Sequence, residues 1–167
     1  MAAVGMFRII VTLCLVIQLT LAENVEVFTR NGPVVGKKLY GFEKQSNAFF
    51  GIPYAKPPVG KLRFRKPVPT DKWTEPLEAF QYSSNCYQVH SLQLNPKFMY
   101  NSTHSSEDCL YLNIWSPDVT VDENNLQPVL VFIHGGGLQF GSASLKGYNG
   151  QLLSEKSNSV VVSINYR

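Results

Sequence analysis

Charged residues are scarce in this sequence, which narrows the classes of protein that it can represent. Lys, Arg, Asp and Glu make up 16% of the 167 residues, below the usual fraction of about a quarter, and the net charge is only +3. This small excess does not favour a partner such as nucleic acid, and the basic stretch at 61–66 is more typical of a solvated surface loop. The 12% aromatic content, with ten prolines and twelve glycines, argues against a disordered tail or a coiled coil.

The apolar run near the amino terminus is shorter than a typical membrane-spanning helix. As a helix, Ile9–Leu21 would extend about 20 Å, against roughly 30 Å of hydrocarbon in a bilayer. The run follows Arg8 and ends in small residues at Ala22, which is the pattern of a secretory signal peptide. We therefore predict a signal peptide at 1–22, cleavage after Ala22 and a secreted protein. A membrane anchor and a buried core helix are the alternatives.

Cysteine is also rare, and its placement agrees with secretion. Cys14 lies in the predicted signal peptide, so that Cys86 and Cys109 remain in the mature chain. In an oxidising compartment these two most simply pair with each other, and two separate buried thiols are the alternative. Asn101 begins the only Asn-x-Ser/Thr sequence, which predicts a surface glycosylation site unless the match is fortuitous.

Apolar segments separated by turns predict an α/β fold. Asn31-Gly32 between Val25–Thr29 and Val34–Leu39 indicates a hairpin, although Pro33 weakens the start of its second strand. We expect four further strands, at Ala48–Tyr54, Leu110–Trp115, Val129–Ile133 and Ser159–Tyr166. We expect one helix, near Asn149–Lys156, between the last two strands.

The strand at Val129–Ile133, the helix and the strand at Ser159–Tyr166 form a strand–helix–strand unit, which is typical of a parallel sheet. Val129–Ile133 is an unbroken apolar run, so we expect a strand covered on both faces. Between 82 and 106 the chain is polar and is expected to be irregular.

A run of three glycines, Gly135, Gly136 and Gly137, follows the Val129–Ile133 strand after His134. Glycines permit positive φ, and their successive amides can point together at an anion. In acyl transfer such amides hold the oxyanion of a tetrahedral intermediate. A flexible turn is the alternative, whereas a phosphate-binding P-loop is excluded because no Gly-Lys-Ser/Thr follows.

Several motifs together resemble the type-B carboxylesterase/cholinesterase family of α/β-hydrolases. The resemblance covers roughly residues 24–167, and the family fold would here comprise an amino-terminal hairpin and the first strands of a central mixed sheet. The matching segments occur in the family's order and are Phe50–Ala55, Pro57–Gly60, Leu62–Phe64, Ser106–Trp115, His134–Gly137 and Ile164–Arg167.

The resemblance implies a role for each matched position. Gly136 and Gly137 would supply oxyanion-hole amides and Gly135 would shape the turn. Cys86 and Cys109 match a family disulfide that borders the active-site gorge, and Arg63 and Glu107 match a structural ion pair. The implied substrate is a small carboxylic ester, with no metal and no organic cofactor.

The residues on either side of the three glycines, His134 and Leu138, need separate interpretation. Relatives often carry a large aromatic residue where Leu138 stands, so the shape of the acyl pocket is not predicted. His134 is not expected to be the catalytic base, because in α/β-hydrolases the histidine follows the nucleophile along the chain. We expect His134 to stabilise the turn, and we assign no catalytic role to His90 or His104.

The Gly-x-Ser-x-Gly motif of a nucleophile is absent from the sequence. We therefore expect residues 23–167 to be the amino-terminal part of a larger carboxylesterase, truncated before the nucleophile and inactive by itself. The leading hypothesis is a secreted serine esterase. The alternatives are a non-catalytic cholinesterase-like adhesion or binding protein and a naturally short secreted decoy. The oligomeric state is not predicted.

Overall fold

The computed structural model describes residues 23–41, 44–88, 104–120 and 126–167. The predicted signal peptide with its cleavage site after Ala22, the sequon at Asn101 and His90 lie outside the described residues.

Nine strands and one α-helix are formed by the described residues, together with two short 3₁₀ turns. The 3₁₀ turns are Gly60–Leu62 and Lys146–Tyr148. The strands and the helix are β1 Asn24–Phe28, β2 Pro33–Tyr40, β3 Gln45–Pro53, β4 Leu77–Glu78, β5 Asn85–Cys86, β6 Ser105–Ser106, β7 Tyr111–Ser116, β8 Val129–Ile133, α1 Gln151–Ser157 and β9 Val160–Ile164.

Seven of these strands form one mixed sheet, which confirms the predicted α/β class. Its order is β1-β2-β3-β7-β9-β8, and the short β4 pairs with β2. Neighbours from β1 to β9 are antiparallel, whereas β8 and β9 are parallel and are joined through α1. The predicted strand–helix–strand unit is therefore present at the β8 edge of the sheet.

The β1–β2 hairpin forms where Asn-Gly predicts it. Thr29 and Gly32 exchange backbone hydrogen bonds across the turn. Gly32 has a φ of +145°, which residues with a side chain rarely adopt. Pro33 opens β2 opposite Phe28 and does not prevent pairing, because a proline is tolerated as the first residue of a strand.

Neighbouring residues of β3 divide the core between the two faces of the sheet. Phe50 packs with Ala48, Trp115 and Val161 on one face, and Phe49 packs with Val34 and Ala79 on the other. This alternation follows from the two-residue period of a strand. It anchors β3 and β7 at the centre of the sheet.

A bulge at Gly51 bends β3 where it faces β7. The register shifts between Phe49 and Ile52, and Gly51 has a φ of +69°. The Gly51 amide, which leaves the ladder there, donates to the Asn113 side chain at 3.1 Å. A bulge of this kind increases the local twist of the pair.

The expectation that β8 is covered on both faces is wrong for the described residues. All five of its residues are exposed, from 40% at Phe132 to 61% at Ile133. Within the described part of the chain, β8 pairs only with β9, and Phe132 contacts the Tyr148 ring. Apolar composition indicates that a strand can be buried, but the residues that would cover it belong to other segments.

No helix in the described ranges has both the length and the apolar character needed to cross a membrane.

Candidate active site

The three glycines form a tight turn at the carboxyl end of β8. Gly136 has a φ of +135° and Gly137 a φ of +62°, and Leu138 continues the left-handed conformation with a φ of 59°. The Gly136 carbonyl accepts hydrogen bonds from the amides of Gln139 and Phe140, at 3.1 and 3.3 Å. A Cβ at Gly136 would lie 1.8 Å from the Phe140 carbonyl oxygen, so this position accommodates only glycine.

The amides of Gly136 and Gly137 have no hydrogen-bond acceptor among the described residues. A Cβ at Gly137 would also meet no atom of the described residues within 4 Å, so these residues leave the space beside it open. Two adjacent unpaired N–H groups beside open space can bind an oxygen that carries negative charge. The turn therefore has the donors that an oxyanion hole requires.

His134 is largely buried and contacts the turn. It is 7% exposed, its ring stacks on Tyr166 with centroids 4.5 Å apart, and its Nδ1 lies 3.0 Å from the Gly135 carbonyl oxygen. Its own carbonyl oxygen accepts a 2.8 Å hydrogen bond from the Tyr166 hydroxyl. This environment agrees with the predicted role of stabilising the turn.

A buried polar network holds the residues that follow the turn. Ser142 and Ser144 donate to Oδ1 of Asn85 at 2.5 and 2.7 Å. The Ala143 amide donates to Oδ1 of Asn165 at 2.8 Å. The network joins three distant segments, and sequence reasoning missed it because Asn and Ser have no distinctive spacing there.

The disulfide lies on the side of the network that includes Asn85. Cys86 and Cys109 are bonded, as predicted, and Cys109 is 2% exposed against Ala55 and Leu110. The bond closes the segment that contains the undescribed residues 89–103. It also fixes Asn85, the residue before Cys86, relative to β7.

Arg63 and Glu107 meet at the surface beside the disulfide. Arg63 Nε lies 2.6 Å from Glu107 Oε1, with the two side chains 53% and 35% exposed. An ion pair this exposed contributes about 0–1 kcal/mol. Arg167 donates from Nη2 to the carbonyl oxygens of Leu62 and Arg65, which holds the same loop against the end of β9.

A cleft of about 600 Å³ opens beside this ion pair, away from the glycines. It is lined by Arg63, Glu107, Arg167 and both cysteines, among others, whereas Gly135–Gly137 do not line it. The guanidinium groups of Arg63 and Arg167 already have oxygen partners. We therefore place the candidate active site at the glycine turn, where the unpaired donors are, and not in the cleft beside the ion pair.

Within the described ranges, no three His, Cys, Asp or Glu side chains are grouped closely enough to hold a metal ion.

Burial of the Tyr111 side chain, at the start of β7, should make the stability of the protein depend on pH in the alkaline range. Burial, followed by the hydrogen bond and the charge of Asp108, raises the pKa of Tyr111 to about 12. The neutral phenol therefore contributes stability fully below its unfolded pKa of about 10, and that stability is lost as the pH rises from there through 12. In urea unfolding at pH 9–12, Tyr111→Phe should show a shallower loss of stability than the wild type. Tyr87→Phe, at a 71% exposed position, is the matched control and should follow the wild type; parallel curves for Tyr111→Phe would contradict the burial of this phenol.

Comparison with known sequences decides the family. The sequence model of the carboxylesterase family matches residues 23–167. The chain belongs to this family. Membership confirms the resemblance drawn from the motifs, and it assigns the mixed sheet to the α/β-hydrolase fold.

Three known proteins are similar in sequence to this carboxylesterase-family chain. A cholinesterase from Mus musculus is 43% identical over 150 residues, which cover 87% of this chain and 24% of the relative. Carboxylesterase 1C from Mus musculus is 44% identical over 149 residues, covering 84% and 26%. A medium-chain fatty acyl-CoA hydrolase precursor from Anas platyrhynchos is 43% identical over 154 residues, covering 87% and 27%. The chain thus spans about a quarter of the length of these relatives.

Removing the disulfide should destabilise this carboxylesterase-family protein without changing its fold. The bond joins cysteines 23 residues apart, and closing such a loop restricts the unfolded chain by about 3 kcal/mol. Cys86→Ser combined with Cys109→Ser should lower the free energy of unfolding by that amount, measured in urea. Cys14→Ser should leave the mature protein unchanged if Cys14 is removed with a signal peptide. Equal midpoints for the double variant and the wild type would contradict a stabilising bond.

Proposed function

We propose that this chain is the amino-terminal part of a secreted serine carboxylesterase, in which the amides of Gly136 and Gly137 form the oxyanion hole. One observation carries the proposal: both amides are unpaired among the described residues, in a positive-φ turn at the carboxyl end of a parallel strand. Ligand sites of α/β sheets lie at the carboxyl ends of the strands. Membership of the carboxylesterase family supports the same assignment.

The proposed reaction is acyl transfer through a serine ester. A serine hydroxyl outside this chain attacks the carbonyl carbon of the substrate, and the carbonyl oxygen gains the negative charge. A histidine, also outside this chain, takes the hydroxyl proton and later gives it to the leaving alcohol. The Gly136 and Gly137 amides stabilise that charge, while Gly135 shapes the turn that aims them. As the tetrahedral intermediate collapses, the alcohol leaves with a proton and an acyl-enzyme remains, which water then hydrolyses. The proposal invokes neither a metal nor an organic cofactor.

The proposed substrates are small carboxylic esters with an apolar acyl or alcohol group. Leu138 follows the glycines and is 90% exposed, so it offers an apolar surface beside the proposed hole. The names of the relatives include a cholinesterase and a fatty acyl-CoA hydrolase, which differ in the group that leaves the acyl carbon. Both substrate classes share the acyl carbonyl that the two amides would bind.

Secretion is part of the proposal. A disulfide in the described chain is typical of proteins from oxidising compartments. Secreted protein should therefore begin at Glu23, after cleavage at Ala22, and carry a glycan on Asn101. Intact mass before and after treatment with a glycosidase measures both. A mass that includes residues 1–22 would contradict the signal peptide, and an unchanged mass after treatment would contradict the glycan.

The decisive experiment reads the transcript beyond Arg167 and expresses the whole protein. A Gly-x-Ser-x-Gly motif, labelling of its serine by a fluorophosphonate and hydrolysis of p-nitrophenyl butyrate would support the esterase. A substituted serine, with neither labelling nor hydrolysis, would overturn it and favour the adhesion or binding protein.

A further inference from the structure

The side chain of Gln88 connects the disulfide to the glycine turn. Its Nε2 donates to the Cys86 carbonyl oxygen at 3.2 Å and to the Gly141 carbonyl oxygen at 3.0 Å. Its Oε1 accepts from the Gly141 amide at 2.7 Å. The amide group of Gln88 thus forms hydrogen bonds with both the N–H and the carbonyl of Gly141, and a third hydrogen bond connects it to Cys86 of the disulfide.

Gly141 is the point at which these hydrogen bonds reach the glycine turn. A Cβ there would lie 2.4 Å from His134 Nδ1 and 2.5 Å from the Gly135 carbonyl oxygen, so the Gly141 backbone packs directly against these two residues. Gly141 also has a φ of +123° and follows Phe140, whose amide donates to Gly136. A shift of Gly141 would therefore move both ends of the turn.

The buried network that follows the turn does not duplicate this contact. Asn85 and Asn165 hold residues 142–144, which lie beyond Gly141. They fix where the chain leaves the turn, and β8 fixes where it enters. Gln88 acts between these points, on the residue that closes the turn against His134.

We propose that Gln88 is a positioning residue that sets the orientation of the Gly136 and Gly137 amides from the disulfide-bonded segment. The inference rests on the proposed function, because it assigns the oxyanion turn as the element positioned. The hydrogen bonds of Gln88 go to Cys86 and Gly141 and not to Gly136 or Gly137, and Gln88 is not expected to contact the substrate. Its loss should reduce transition-state stabilisation more than substrate binding.

The test replaces Gln88 with methionine in the whole secreted protein. Methionine has nearly the same length and volume but cannot make the three hydrogen bonds. Misplacing donors by about 1 Å costs roughly 10²-fold, so a smaller shift should lower kcat about tenfold with KM little changed. Amide hydrogen exchange at Gly141 should accelerate by about tenfold or more, because the acceptor of its N–H is lost.

Gln81→Met is the matched control. It makes the same substitution at an exposed residue seven positions before Gln88, outside the segment that the disulfide closes. Kinetics and exchange at Gly141 should both match the wild type. Unchanged exchange at Gly141 in Gln88→Met would overturn the inference, and so would faster exchange with an unchanged kcat or with a rise in KM alone.

The exchange measurement separates this inference from the proposed function. If the wild type hydrolyses no ester and binds no trifluoromethyl ketone transition-state analogue, the proposed function fails. Exchange at Gly141 then decides the contact alone: faster exchange in Gln88→Met would support the contact with the turn, and unchanged exchange would overturn it.

Discussion

Replacing Gly136 with alanine in the whole protein should lower kcat for ester hydrolysis by about 10²–10³, with a much smaller change in KM. The new Cβ would lie 1.8 Å from the Phe140 carbonyl oxygen, at a φ of +135° that alanine rarely adopts. The backbone must rotate to relieve this contact, and the rotation turns the Gly136 amide away from the oxyanion. Loss of one oxyanion donor costs about that factor in rate. Steady-state kinetics with p-nitrophenyl butyrate measures it.

Two further alanine variants make this result interpretable. A Cβ at Gly147 meets no described atom within 4 Å, and this exposed 3₁₀ position has no positive φ, so Gly147→Ala should retain full activity. Gly137 has a φ of +62°, but a Cβ there would meet no described residue, so alanine costs about 1–2 kcal/mol of backbone strain without a clash among them. We expect an intermediate loss of kcat for Gly137→Ala. Full activity of a folded Gly136→Ala protein would exclude the amide of this residue from the oxyanion hole.

Local signals in the sequence predicted most of the secondary structure. Asn31-Gly32 specifies a hairpin because glycine supplies the positive φ that its turn requires, and the turn then sets the register of β1 on β2. The apolar runs that became β7, β8 and β9 were placed to within about two residues. The helix predicted near Asn149–Lys156 begins at Gln151 and ends at Ser157. These elements depend on residues close together in the chain.

The glycine turn was also predictable, because its signal is local and chemical. Three glycines after an apolar strand indicate a backbone with positive φ, and Gly136 and Gly137 have it. The residues that hold the turn were not predictable in this way. Gln88 lies 53 residues before Gly141, and Asn85 lies 57 before Ser142. A single polar side chain in an irregular segment belongs to no periodic pattern, so the sequence does not indicate which distant residue it contacts.

Burial of β8 could not be predicted from its residues for a related reason. An apolar strand specifies a preference for cover, and the cover comes from other segments. Val131 in β8 is 60% exposed, whereas Val161 in β9 is 4% exposed, although both lie in apolar β-prone runs. The difference is position in the sheet: β9 pairs on both sides with β7 and β8. Topology, rather than composition, therefore separates these two valines.

Residues 23–167, produced alone, should hydrolyse no ester. The sequence contains no Gly-x-Ser-x-Gly, and loss of a nucleophile or base lowers kcat by about 10⁶. The serines beside the glycine turn cannot substitute, since Ser142 and Ser144 are 0% and 2% exposed and their hydroxyls donate to Asn85. Release of p-nitrophenol should match buffer, and mass spectrometry should find no fluorophosphonate adduct.

The same segment carrying Gly136→Ala is the control that gives this negative result meaning. If the segment has only binding donors and no acyl chemistry, the substitution cannot change a rate that is already background, so both versions should match buffer. Turnover of about 1 s⁻¹ or more by the wild-type segment, lowered about 10²–10³-fold by Gly136→Ala, would contradict the prediction and place a nucleophile within 23–167. Turnover that Gly136→Ala leaves unchanged would instead indicate a contaminating esterase, because a reaction in this protein should depend on the turn that stabilises its oxyanion.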